Sequence, residues 1–252
     1  MDDREFFIDS DGVRLHARID LPNPATAKMP VLVLIHGYTG HMEERHIRAA
    51  AETATREGFA VLRAELYGHG QSGGTFREHN IMIWVLETLT LIDYAADLDF
   101  CDGVWLAGHS QGGLTTILAA AMKRDVLRGV IPLAPATVIR DAARNGDLFG
   151  TPFDPDHIPP VLTMDDSRLL GGNYFRVAQT LPIEDALRAY KGPVLIVHAD
   201  TDEAVPLACA QQAAQTYADC ELVIIHNDTH CYDNHLDQMT TALAAFLRRT
   251  RG

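Results

Sequence analysis

The stretch Val104-Trp105-Leu106-Ala107-Gly108-His109-Ser110-Gln111-Gly112-Gly113-Leu114 constrains this chain more than any other. An apolar, strand-like run stops at Gly108, Ser110 follows, and a helix-like run continues from Leu114 through Met122. Gly-x-Ser-x-Gly becomes informative when it sits between a strand and a helix, because a sharp turn there lifts the serine hydroxyl clear of the backbone. Gly108 and Gly112 permit the close chain approach that such a turn needs. The Gln111 amide then lies at the positive end of the following helix, where a developing oxyanion would be stabilised. The plainer reading is a serine that only caps a helix. The chain supplies its own control. Gly70-Gln71-Ser72-Gly73-Gly74 also fits the pattern, but Leu66-Tyr67-Gly68-His69 separates it from a strand and no helical run follows directly, so Ser72 reads as a loop serine.

Around this stretch, apolar runs alternate with helical periodicity. Glu5–Ile8 and Val13–Ile19 read as a hairpin turned by Asp9-Ser10-Asp11-Gly12. Val31–Ile35 is continuously apolar, as suits a strand buried on both faces. Further strands are expected at Phe59–Ala64, Val130–Leu133, Pro193–Val197 and Leu222–Ile225, in addition to the one leading to Gly108. Helices are expected from about Glu43 to Arg56, Ile81 to Asp97, after Ser110, Leu207 to Tyr217 and Leu236 to Arg248. This alternation predicts an α/β protein with a mostly parallel eight-stranded sheet and helices on both faces. The strand C-terminal ends share one edge, which is where ligands bind in such sheets. Residues 134–189 break the rhythm and are rich in Pro, Gly and Asp. They are expected to form an inserted lid over that edge, with residues 1–133 and 190–252 making the core.

The bulk composition excludes several classes. With 252 residues and 47% hydrophobic content, one large domain can bury a substantial core. A formal charge of −13 argues against a nucleic-acid or anionic-lipid face. No apolar run is long enough to span a bilayer. Cys101, Cys209, Cys220 and Cys231 are widely spaced and read as reduced thiols, not as a disulfide framework or zinc site. The acidic start Met1-Asp2-Asp3-Arg4-Glu5 is no signal peptide, so a cytoplasmic location is expected unless a leader has been removed.

A serine nucleophile needs a base, and the base an orienting acid; both should follow the serine in the chain and lie on the same edge. The acid candidates are Asp200, Asp202 and Glu203, after the strand at Pro193–Val197. Asp200 is close enough to the strand end to cap the turn, Asp202 is better placed to reach across, and Glu203 is expected to face solvent. The base candidates are His226, His230 and His235. His226 ends a strand, His235 begins a helix, and His230 is carried by a loop on the expected edge. The spacing of His226 and His230 would suit zinc only with a glutamate after the first histidine, and Asn227 stands there. No metal or other cofactor is expected. The oxyanion donors are assigned to the amides of Gln111 and Tyr38, the latter in His36-Gly37-Tyr38 after a buried strand. Together these residues point to two-step acyl transfer with Ser110 as nucleophile.

With these residues in view, the sequence resembles the alpha/beta-hydrolase superfamily over nearly its whole length, and more narrowly the bacterial cinnamoyl and feruloyl esterases. His36-Gly37-Tyr38-Thr39-Gly40 is similar to that family's oxyanion loop, Gly108-His109-Ser110-Gln111-Gly112-Gly113 to its elbow, and Asp228-Thr229-His230-Cys231-Tyr232-Asp233 to its histidine loop. The segment His198–Pro206 resembles its acid loop and places the acid on Asp202. Leu133-Ala134-Pro135-Ala136, Asp154–Pro159 and Gly171–Gln179 resemble its lid. The resemblance implies a serine esterase of alpha/beta-hydrolase fold acting on hydroxycinnamoyl esters, with Asp141 and Tyr174 facing the phenolic hydroxyl. Gly146-Asp147-Leu148-Phe149-Gly150 is more apolar than that family's pattern, which favours other acyl groups, and Glu65 stands where many relatives carry Asp. The expected partner is a small-molecule ester, with neither nucleic acid nor membrane; nothing in the sequence opposes a homodimer. The alternatives are a general carboxylesterase or thioesterase for short acyl chains, and a ligand receptor of the same fold with little turnover. A peptidase would need an additional domain, and dehalogenase or epoxide hydrolase chemistry an aspartate where Ser110 stands.

Overall fold

A computed structural model of the chain describes residues 4–251. The acidic start at residues 1–3 lies outside the described residues. In order, the elements are β1 (Arg4–Ser10), β2 (Val13–Asp20), β3 (Met29–Ile35), α1 (Arg45–Arg56), β4 (Ala60–Ala64), α2 (Ile81–Ala96), β5 (Cys101–His109), α3 (Gln111–Met122) and β6 (Leu127–Leu133). Next come α4 (Val138–Asn145), β7 (Asp147–Leu148), β8 (Thr151–Pro152), β9 (Val161–Thr163), β10 (Leu169–Gly171), α5 (Gly172–Gln179) and α6 (Ile183–Ala189). The chain closes with β11 (Val194–Ala199), α7 (Leu207–Thr216), β12 (Cys220–Ile225) and α8 (Leu236–Thr250).

Eight strands form one sheet in the order β1-β2-β4-β3-β5-β6-β11-β12. The hairpin β1–β2 and the β2–β4 pair are antiparallel, and every later pairing is parallel. This is the alpha/beta-hydrolase architecture. Side chains alternate between the two faces of each central strand, as the strand period of two requires. Val31, Val33 and Ile35 join the core on one face, while Leu32 and Leu34 join the core on the other. Trp105 and Leu106 divide in the same way. One face carries α1 and α8, whose Ile47, Ala50, Leu243 and Phe246 pack on Leu34 and Trp105. The other carries α2, α3, α6 and α7. Both faces being covered explains why β3 is apolar throughout.

Local chemistry sets the boundaries. The side chain of Asn80 accepts from the amides of Met82 and Ile83, both at 3.0 Å, and so starts α2 where the apolar periodicity begins. Helix α1 starts at Arg45, two residues later than its periodicity suggests, because Glu44 is still extended (φ −60°, ψ 148°). Between β6 and β11 the chain forms three helices and two antiparallel ribbons, β7–β8 and β9–β10. Their buried residues Ile139, Leu148, Leu170 and Phe175 belong to the same core as the α2–α3 face of the sheet.

Candidate active site

Strand β5 ends at His109, and Ser110 turns the chain into α3 at φ 57° and ψ −117°. A non-glycine residue held there carries strain of about 1–3 kcal/mol, which surrounding structure must offset. The Ser110 amide donates to the Leu133 carbonyl (2.9 Å), and its own carbonyl accepts from Leu114 and Ala136 (both 3.0 Å). A Cβ on Gly108 would lie 2.3 Å from the Gly112 carbonyl oxygen, and one on Gly112 would lie 2.3 Å from that of His36. Both glycines are therefore needed for α3 to approach β5 and β3. Ser110 is half-buried, and its Oγ has no hydrogen-bond partner among the described residues. Ser72, the control serine, has both of its bonds spent in the loop. It donates to the Glu65 carbonyl (2.6 Å) and accepts from the His16 amide (2.8 Å).

At the ends of β11 and β12, Asp202 and His230 meet. His230 Nδ1 lies 2.7 Å from Asp202 Oδ2, with the carboxylate wholly inaccessible and the imidazole 12% exposed. The other oxygen, Oδ1, accepts from the amides of Ala204 and Val205, both at 2.8 Å. Burial alone would raise the Asp202 carboxyl; the hydrogen bond and charge of His230 and these two amides outweigh it and hold the group below its ordinary value. An ionised Asp202 fixes the proton on His230 Nδ1 and leaves Nε2 bare to accept one. The competing candidates are occupied elsewhere. Asp200 accepts from the Asn227 amide and faces exposed His226, both at 2.7 Å. Exposed Glu203 accepts from the His230 amide (3.2 Å), and His235 precedes α8.

Two supports of this pair have no signature in the sequence. Asp228 is fully buried and accepts from the amides of Thr229 (2.8 Å), Asn234 (2.9 Å) and His235 (3.0 Å), so it shapes the loop that carries His230. His109 Nε2 donates to the His230 carbonyl (3.0 Å), which ties residue 109 of the elbow to the histidine loop. That tautomer leaves His109 Nδ1 bare, and it faces His46 Nε2 at 3.1 Å, so His46 donates. Both rings are held neutral: burial is the largest cause, and neighbouring histidines add to it, lowering His46 to about 4 and His109 well below its usual range. A neutral His109 is what this chain of donors requires.

The loop after β3 is braced in the same manner. His36 is fully buried; its Nε2 accepts from the Leu66 amide (3.1 Å), so Nδ1 carries the proton and donates to the Gly37 carbonyl (2.8 Å). Burial holds His36 neutral, with a pKa of about 3. The Tyr38 amide and the Gln111 amide, the two expected oxyanion donors, have no acceptor within the described residues. The Tyr38 ring stacks on Phe149 with centroids 4.3 Å apart. Beside this loop opens a cavity of about 540 Å³ lined by Thr39, His41, His69, Phe76, Arg168 and Leu169 among others.

The two residues that the resemblance assigns to a phenolic hydroxyl are placed differently. Tyr174 is fully buried on α5, and its hydroxyl donates to Gln111 Oε1 (2.6 Å), so it contacts the start of α3. Gln111 Nε2 is buried without a partner. Asp141 is exposed on α4 and pairs with Arg140 (3.0 Å). Glu65, the other departure from the family pattern, accepts from His16 (3.0 Å) and from the Gln71 amide (2.6 Å), which closes the loop after β4. The four cysteines are free thiols, and among the described residues no helix is long and apolar enough to cross a membrane.

A serine on a strand-to-helix elbow, with a histidine–carboxylate pair on neighbouring strand ends, defines a serine hydrolase of the alpha/beta-hydrolase class. The chain belongs to the family described as serine aminopeptidase, S33 (Hydrolase_4), whose model matches residues 26–153. Among solved structures, it is similar to Est1E from Butyrivibrio proteoclasticus, in a structure with ferulic acid bound. That likeness has a TM-score of 0.95 and 48% identity over 97% of this chain and 98% of the other. Alpha/beta hydrolase domain-containing protein 10 from mouse shares the fold, with a TM-score of 0.79 and 18% identity over 98% and 99% of the two chains. The human mitochondrial palmitoyl-protein thioesterase ABHD10 is 32% identical over 124 residues, covering 47% of this chain and 39% of that protein.

Proposed function

We propose that this chain hydrolyses carboxylic esters through an acyl-enzyme on Ser110, and that its substrates are hydroxycinnamoyl esters or related aromatic and short-acyl esters. The observation that carries the reading is the 2.7 Å bond between His230 Nδ1 and inaccessible Asp202, on strand ends beside the Ser110 elbow. In this mechanism His230 Nε2 takes the Ser110 proton as Oγ attacks the ester carbonyl, and the C–O bond to the leaving alcohol breaks after the tetrahedral intermediate forms. The oxyanion rests on the amides of Tyr38 and Gln111; one such donor contributes about 2.7–4 kcal/mol to the transition state. His230 then passes its proton to the leaving alcohol, and a water repeats the sequence on the acyl-enzyme. The hydrogen bond from Ser110 Oγ to His230 Nε2 forms when substrate arrives, since catalytic hydrogen bonds commonly become productive only in the substrate complex.

The aromatic preference is supported by the similar structure with ferulic acid bound and by the ring cluster of Tyr38, Phe76 and Phe149 at the oxyanion loop. Asp141 and Tyr174 remain the proposed phenol contacts; the Tyr174 hydroxyl, which donates to Gln111, keeps its lone pairs to accept from a substrate hydroxyl. A thioesterase reading is favoured by one observation, the likeness to a palmitoyl-protein thioesterase. In either case the enzyme works in the cytoplasm with its lid over the site, without a cofactor.

Steady-state rates on ethyl ferulate, a short nitrophenyl ester and an acyl-thioester test the reading. Ethyl ferulate is expected to give the highest kcat/KM, and Ser110→Ala is expected to lose at least about a thousandfold on every substrate. Retention of most ester hydrolysis by Ser110→Ala excludes the mechanism, and a higher kcat/KM on the thioester overturns the substrate assignment.

A further inference from the structure

We infer that His46, His109 and Cys231 form a binding site for a soft divalent cation such as Zn²⁺, and that a cation bound there inhibits the enzyme from behind the triad. The inhibition rests on the hydrolase reading above; the binding does not. One ligand atom from each of the three side chains lies within 4.8 Å of the other two. His46 Nε2 and His109 Nδ1 are 3.1 Å apart. Two nitrogens on a tetrahedral zinc at about 2.05 Å are separated by about 3.4 Å, so the rings need to part by only a few tenths of an ångström. Two imidazoles and a thiolate match the preference of zinc and its neighbours among the transition metals, and not that of magnesium or calcium.

The surroundings of the three side chains suit a metal. His109 already gives its one ring proton, on Nε2, to the His230 carbonyl (3.0 Å), the outer bond that orients a metal-bound histidine and points the bare nitrogen at the ion. His46 and His109 are buried, whereas Cys231 is partly exposed and leaves an entry path. Glu44 Oε2 stands 4.0 Å from His46 Nε2, an oxygen donor at the rim. Glu44, Asp233, Glu203 and Asp202 all act on the Cys231 sulfur, a negative field that a divalent cation neutralises. Binding replaces the hydrogen bond between the two rings. The His46 proton moves from Nε2 to Nδ1, the thiol proton leaves to solvent, and the cation bonds to both nitrogens and the sulfur.

The cost to activity follows from position. Cys231 adjoins His230, and His109 adjoins Ser110. Drawing both onto one ion clamps the histidine loop against the elbow and displaces the imidazole from the serine.

The test is a titration of chelator-treated protein with Co²⁺, followed by displacement with Zn²⁺. The wild type is expected to bind one equivalent with a thiolate-to-cobalt charge-transfer band. Cys231→Ser is expected to lose that band, and His46→Gln to bind at least tenfold more weakly while keeping its circular dichroism spectrum. Zn²⁺ is expected to inhibit wild-type turnover, and Cys231→Ser to require at least tenfold more Zn²⁺ for the same loss. The proposal is overturned by a missing charge-transfer band in the wild type, or by equal Zn²⁺ inhibition of wild type and Cys231→Ser. The Co²⁺ band is read without substrate, so a failure of the esterase reading leaves it in place.

Discussion

Glu87 sits in α2 with 3% of its surface exposed, one carboxyl oxygen accepting from the Tyr67 amide (2.9 Å) and the other buried without a partner. Burial raises its pKa to about 8, against the smaller opposing effect of the Tyr67 amide. The unfolded chain releases this proton near 4.5, so the stability Glu87 supplies is complete below that pH and is lost as pH rises towards about 8. Glu87→Gln keeps an acceptor for Tyr67 and carries no proton to lose. Its unfolding free energy from urea titration is expected to match the wild type near pH 4.5 and to exceed it increasingly up to about pH 8, by a few kcal/mol at most; a shift independent of pH refutes the assignment. Residues differ in how openly the sequence shows them. Ser110, Asp202 and His230 are open to sequence reading because each follows an apolar strand on the expected edge, although chain order alone does not separate Asp202 from Asp200 and Glu203. Asp228, His109 and His46 are not, because their roles depend on what the folded loops bring together: amides for Asp228, the His230 carbonyl for His109, and the His109 imidazole at 3.1 Å for His46. Tyr174 is an intermediate case: a resemblance marks it, but only packing reveals that its hydroxyl is bonded to Gln111.

At the scale of elements, the elbow depends on how closely α3 can lie against β3. Gly112 faces the carbonyls of His36 and Ile35, and a methyl group there would stand 2.3 and 2.8 Å from their oxygens. Neither oxygen belongs to a flexible side chain, so the helix start must move. Gly112→Ala is therefore expected to cost more than the roughly 1–3 kcal/mol typical of overpacking, and to reduce kcat far more than it raises KM, because the Gln111 amide and Ser110 shift with the helix. Urea denaturation together with steady-state kinetics checks both parts; an unchanged kcat in a folded variant contradicts the account. The sheet and its flanking helices were readable because both faces are covered and each strand carries its apolar run. The chain between β6 and β11 was not, because its ribbons have only two or three residues per strand and no periodicity can emerge over that length. Its helices α4, α5 and α6 also owe their place to packing on a shared core more than to a long amphipathic pattern of their own.

For the molecule as a whole, the decisive feature is the number of histidines whose pKa the fold lowers. Burial is the leading cause in each: His36 and His79 fall to about 3 and His46 to about 4, while His69, His109 and His198 are also lowered. These six surround the site, where they brace the loops after β3 and β4, the elbow and the acid loop. In the unfolded chain each takes up a proton near pH 6.5. Their contribution to stability is therefore complete above about 6.5 and is lost as pH falls towards the folded values, because the unfolded state binds the extra protons. Each such proton gives a slope of about 1.4 kcal/mol per pH unit, and several titrating together make the acid limb steep. Glu87 acts with the opposite sign over part of this range, but it is one group against His36, His79, His46 and His109, the four rings lowered furthest. Stability from urea midpoints is expected to be nearly level between pH 7 and 8 and to fall by several kcal/mol between pH 6.5 and 5, with net proton uptake on unfolding. Replacing His79, whose Nε2 is buried without a partner, by Phe should make that limb shallower by about one proton. A limb that steepens only below pH 4 would assign acid unfolding to carboxylates instead, and would mean that these rings are protonated in the fold.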